Sequence, residues 1–105
     1  MATKDELYDQ ADKLKDAGKL EEAVAKYQES LALDADYALA HAALAMLLGR
    51  MDRHPEAIQH ALKVCELEPG DTFSFTALSV VCQRAGRITE AEDALARARM
   101  MQQRG

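Results

Sequence analysis

The chain has 105 residues, 49% of them apolar, with a formal net charge of −5 at pH 7. That length holds one domain, the absence of any apolar run near ~20 residues excludes a membrane-spanning helix, and the acidic balance argues against duplex nucleic acid as a partner. Alanine is abundant while proline and aromatic residues are scarce, which favours helix because alanine loses no side-chain entropy there.

Met1-Ala2-Thr3-Lys4-Asp5-Glu6 is polar and acidic, unlike the basic start and apolar core of a signal peptide, so the chain is expected in the cytoplasm. Thr3 and Glu6 have the spacing of a capping box, and Leu7, Ala11 and Leu14 follow on one helical face up to Gly18. A second helix is expected from about Leu20, carrying Ala23, Val24, Tyr27, Leu31 and Leu33, with Glu22 and Lys26 as an i,i+4 pair and Asp34-Ala35-Asp36 as connector. The third, Ala38 to about Arg50, is apolar nearly all round and is expected to be buried on several sides. Pro55 suits the first turn of a fourth helix through Ala57, Ile58, Ala61, Leu62 and Leu67. Beyond the turn Pro69-Gly70-Asp71 come helices from about Thr72 to Ala85 and Thr89 to Gln102, with Thr89 and Glu92 as a second capping box.

Positions recur at a spacing of 34: Gly18, Asp52 and Gly86; Glu22, Glu56 and Glu90; Ala23, Ala57 and Ala91; Leu14, Leu48 and Cys82; Leu33, Leu67 and Met101. A fixed period of this length marks stacked helical hairpins, which build surfaces for holding other molecules.

Gly18-Lys19-Leu20-Glu21-Glu22-Ala23-Val24-Ala25-Lys26-Tyr27, the stretch Asp52 to Pro69, and Ala85-Gly86-Arg87-Ile88-Thr89-Glu90-Ala91 resemble the tetratricopeptide repeat. The resemblance implies one all-α domain over residues 1–105: a right-handed solenoid of three helix-turn-helix repeats, approximately 4–37, 38–71 and 72–105, with six helices and no separate C-terminal capping helix. The large aromatic expected early in each first helix is Leu7, His41 and Phe75 here, while the small residue at the helix crossing is kept as Ala11, Ala45 and Ser79.

In this family the first helices line a concave groove. The resemblance and helical spacing together assign to it Asp5, Tyr8, Asp12 and Lys15, then Leu39, Ala42, Met46 and Arg50, then Phe73, Thr76, Val80 and Arg84. The groove is expected to be acidic at one end, apolar at Leu39, Met46 and Phe73, and basic at the other end. One family subtype holds the C-terminal carboxylate of chaperone peptides in a Lys/Asn/Arg clamp; the matching places here hold Tyr8, Asp12, Ala43, Phe73 and Ala77, which cannot do so by charge.

Nothing in the sequence points to an enzyme or a cofactor. His41, His54 and His60 form no ligand pattern, His60 and Cys65 are badly spaced for one metal, and no phosphate-cradling glycine motif appears. Cys65 and Cys82 read as buried, reduced thiols. The expected function is an adaptor that binds a protein segment, an amphipathic helix, in its groove. The alternative is a scaffold that self-associates through its ends, using Leu95, Arg97, Arg99, Met100 and Met101, because residues 1–37 carry a net −5 and residues 72–105 a net +2.

Overall fold

The computed structural model describes residues 1–104; the last residue of the third expected repeat, Gly105, lies outside the described residues. Among the described residues there are six helices and no strand: α1 (Lys4–Asp16), α2 (Leu20–Leu33), α3 (Ala38–Arg50), α4 (His54–Leu67), α5 (Thr72–Arg84) and α6 (Ile88–Arg104). They form three antiparallel pairs stacked into an array of 43 × 27 × 19 Å.

The period has a backbone cause. Two residues beyond each first helix the backbone is left-handed, at Gly18 with φ 81°, Asp52 with φ 61° and Gly86 with φ 79°. The next amide then reaches back into the helix: Lys19 N–H to Leu14 O, Arg53 N–H to Leu48 O and Arg87 N–H to Cys82 O, each 2.9 Å. This closure satisfies carbonyls that the helix end leaves open and turns the chain sharply into the second helix. The 34-residue recurrence of Leu14, Leu48 and Cys82 thus marks the acceptor of this closing bond as well as an apolar site.

The Thr3–Glu6 capping box forms: Thr3 Oγ accepts from Glu6 N–H at 3.1 Å, and Thr3 N–H donates to Glu6 Oε1 at 3.2 Å. The second expected box does not. Helix α6 begins at Ile88, so Thr89 lies inside it and its backbone is already helical. The Glu22–Lys26 pair is also replaced: Lys26 meets Glu29 at 3.1 Å instead, one turn onward on the same face. Leu33 and Leu62 are 59% and 46% exposed; Leu62 directly follows the buried Ala61, and a helix turns about 100° per residue, which takes it off the core face.

The core runs through the stack along Ala11, Tyr27, Leu44, Leu47, Leu48, Ala57, Ala61 and Val81. Seven of the thirteen residues of α3 are buried, as its all-round apolarity predicts. Ala11, Ala45 and Ser79 are buried at the helix crossings, where small side chains allow close approach. Cys65 and Cys82 are free, buried thiols; Cys65 Sγ donates to Ser74 O at 3.4 Å, and burial pushes both thiols above their ordinary pKa.

Candidate functional site

The first helices of the pairs carry the residues expected in the groove, and the two halves of that set behave differently. At the N-terminal end the side chains bond to one another. Tyr8 lies between Tyr27 and Tyr37, with ring centroids 5.5 and 5.8 Å away. Tyr27 Oη donates to Asp12, which also meets Lys15 at 3.7 Å, and Tyr37 Oη donates to Asp5 at 2.8 Å. Lys4 Nζ sits 4.7 Å above the Tyr37 ring and pairs with Asp34. Burial and the Asp5 carboxylate push the Tyr37 hydroxyl up to about 12; burial followed by the Asp12 bond and charge raises Tyr27 further. Asp5 and Asp12 are therefore engaged as acceptors inside the first repeat. The sequence showed these three tyrosines one by one; their meeting depends on the crossing of α1, α2 and the following connector.

The central part is open and apolar. Leu39, Met46 and Phe73 are 57%, 37% and 81% exposed. Between α3, α4 and the start of α5 lies a cleft of about 190 Å³, walled by Ala42, Ala45, Ala61, Val64, Ala77 and Phe73, with Asp71 and Ser74 as its polar members. Alanines on three sides leave the depression, and Phe73 stands at its rim because Asp71 caps α5 through Phe73 N–H at 3.0 Å. Leu39 and Met46 are not part of the cleft wall, and Val80 is half-buried while Thr76 is exposed, its hydroxyl donating to Thr72 O at 3.2 Å.

Arg50 and Arg84 end α3 and α5 and are exposed, with no ion pair among the described residues. The Arg84 guanidinium lies over Gly49: a Cβ built there would meet Arg84 Nη1 at 3.9 Å. Their position at helix C-termini favours positive charge.

The residues singled out at the C-terminal end scatter. Arg97 lies 5.5 Å from the Phe75 ring centroid, Arg99 and Met100 are exposed, Met101 is half-buried, and Leu95 lines a separate cleft between α5 and α6.

The histidines hold an arrangement the sequence reading missed. His41 Nδ1 and His60 Nδ1 are 2.9 Å apart, and His41 Nε2 donates to Ala35 O at 2.8 Å. With its proton on Nε2, a neutral His41 offers Nδ1 as acceptor, so His60 donates from Nδ1. Burial, and then the neighbouring His41, hold His60 below its ordinary pKa, against the pull of Glu56. The signal was available: positions 41 and 60 belong to one helix pair, and both point inward in the 3.6 pattern. Among the described residues no group of three metal-ligating side chains forms, and no helix is long and apolar enough to cross a membrane.

A family model described as TPR repeat matches residues 11–52. No curated protein matches the sequence. Several solved structures share the fold. MamA superposes with TM-score 0.89 at 20% identity over 97% of this chain and 60% of that one. YrrB, described as a TPR protein with an unusual peptide-binding site, gives 0.87 at 22% over 97% and 53%. The second TPR of Spaghetti (RPAP3), bound to the HSP90 peptide SRMEEVD, gives 0.84 at 20% over 94% and 92%. This chain thus spans three fifths or less of MamA and YrrB but nearly all of the Spaghetti domain. Residues 11–52 match the tetratricopeptide repeat model, and the chain, with the same helical hairpin three times over, has the fold of such a repeat array.

Proposed function

We propose that this chain is a protein-interaction module that holds an apolar, helical segment of another protein in the groove lined by α1, α3 and α5. The observation that carries this reading is the cleft beside Phe73, a depression walled mainly by small apolar side chains, with Asp71 and Ser74 among its lining and a large exposed ring at its rim. Such a pairing of socket and exposed anchor suits an amphipathic helix that places apolar residues at spacings of three and four. The fold supports it as well, since YrrB and the Spaghetti domain are described with peptides. The contact differs from charge-based capture of a peptide end: Asp12 is committed to Tyr27 and Lys15, and Ala43, Phe73 and Ala77 bring no cation.

The test uses a helical peptide selected from a library on the wild-type chain. Phe73→Glu and Met46→Glu place an unpaired charge in the contact and are expected each to weaken binding more than tenfold, about 1.4 kcal/mol, with helix content unchanged by circular dichroism. Both side chains are exposed, so neither is needed for helix packing. Binding untouched by both substitutions excludes the groove.

A further inference from the structure

His41 and His60 occur together only in the second helix pair. One repeat earlier their places hold Leu7 and Lys26, and one repeat later Phe75 and Ala94. The arrangement they make therefore belongs to this sequence and not to the repeat. His41 is buried on α3, His60 is half-buried on α4, and the packing of the two helices sets their Nδ1 atoms 2.9 Å apart. The ring centroids are 5.2 Å apart, so each Nδ1 lies close to the line that joins the two rings. The lone pair of His41 Nδ1 points along that line at His60, and a single proton fills the space between two nitrogen donors.

The surroundings of the pair match what a metal ion asks of imidazole. His41 Nε2 donates to Ala35 O at 2.8 Å. A ligating histidine almost always donates its other ring N–H in this way, which fixes the tautomer that leaves the ligating nitrogen bare. The two nitrogens come from different helices and face one another, as a pair of in-line ligands does. Metal–imidazole bonds are roughly 2 Å long, so an ion between the rings needs them about 1 Å farther apart than the proton does. His60, the less buried ring, can make that retreat while Ala35 holds His41.

The donor set then selects the ion. Glu56, the carboxylate whose charge acts on His60, is held by Arg53 through bonds of 3.0 and 2.8 Å. Among the described residues no third metal-ligating side chain joins the two histidines. A divalent ion would keep its whole charge between two neutral rings in a mostly buried place, which is costly, and zinc, which takes four ligands, would lack two of them. Monovalent copper carries half that charge, accepts two ligands in line through its filled d shell, and suits imidazole nitrogen.

We propose that His41 and His60 form a two-coordinate site for a monovalent d10 cation, Cu(I), held in line between the two Nδ1 atoms and clamping α3 to α4. The ion takes the place of the bridging proton. His60 releases that proton from Nδ1 and takes one up at Nε2, so both rings stay neutral and no electron is exchanged.

The test is anaerobic titration of the intact chain with Cu(I) against a chromogenic Cu(I) chelator, with Zn(II) titrated in parallel. One Cu(I) per chain is expected, bound at least about tenfold more tightly than by His41→Gln or His60→Gln, and more tightly than Zn(II). X-ray absorption at the copper edge should show two nitrogen neighbours and no sulfur, which separates the histidines from the thiols of Cys65 and Cys82. Cys65→Ser and Cys82→Ala should bind as the wild type does. Circular dichroism establishes that each variant is helical, and the half-buried His60 keeps the outcome decisive if His41→Gln does not fold. Absence of Cu(I) uptake overturns the inference, as do unchanged binding in His60→Gln, sulfur neighbours at the copper, loss of binding in the cysteine variants, or Zn(II) bound as tightly as Cu(I).

Discussion

Three glycines of this chain do opposite things. Gly18 and Gly86 have positive φ, and a Cβ at either would meet nothing within 4 Å, so only the backbone conformation demands glycine there. Gly49 is helical, buried, and would bring a Cβ only to the movable end of Arg84 at 3.9 Å. Gly18→Ala and Gly86→Ala are expected to destabilise by about 1 kcal/mol each through the left-handed penalty, while Gly49→Ala is expected to stabilise by about 0.5–1 kcal/mol through helix propensity. Urea denaturation of the three variants checks both signs. The histidine pair predicts a pH dependence. His60 titrates below 6.5 in the fold, so the unfolded chain takes up the proton first as the solution is acidified. Its contribution is complete above about pH 6.5, the unfolded value, and is lost progressively as pH falls toward the lowered folded value. His60→Gln keeps an N–H for His41 and cannot titrate. The variant should therefore lose less stability than the wild type between pH 7.5 and pH 5.5 in paired denaturation curves; equal losses would show that the pair does not couple protonation to folding.

Among the elements, α1 depends most visibly on its own start. Thr3 and Glu6 satisfy two backbone groups reciprocally, and α1 carries Tyr8, Asp5 and Asp12 into the tyrosine cluster. Thr3→Ala is expected to destabilise the chain by about 1 kcal/mol, and tyrosine fluorescence should change with it as the first turn loosens around Asp5 and Tyr37. An unchanged midpoint would mean that tertiary contacts alone hold the turn. Helices α2 and α4 have no side-chain cap at all; the closing bonds Lys19 N–H to Leu14 O and Arg53 N–H to Leu48 O satisfy carbonyls of the preceding helix and set where the next one starts. This explains why the capping signal at Thr89 misled: in α6, as in α2 and α4, the helix starts from the left-handed turn two residues earlier, and Thr89 arrives after the start.

At the scale of the molecule, burial is concentrated in the middle. Seven of thirteen residues of α3 are buried, five of fourteen in α4 and five of thirteen in α5, against two of thirteen in α1 and three of seventeen in α6. A stack stabilised by neighbours opens from its less covered parts, so amide hydrogen exchange should be slowest in α3 and fastest in α1 and α6. Equal protection across all six helices would contradict this gradient.

The order of the helices, their ends to within one or two residues and the repeat fold were legible in the sequence because they are local and periodic. The turn residues Gly18, Asp52 and Gly86 declare the backbone, and Leu44, Leu47 and Leu48 declare the buried face, without reference to anything far away. The candidate groove was legible only as positions. Tyr8 and Asp12 have the same helical address as Ala42 and Met46 one repeat later, yet the first two are tied to Tyr27 and Lys15 while Met46 is exposed and Ala42 walls a cleft. Which address becomes a contact depends on what the helix packed against it brings to that place. A periodic sequence states what each repeat offers, and only the packing of one helix on another decides which of those offers is met.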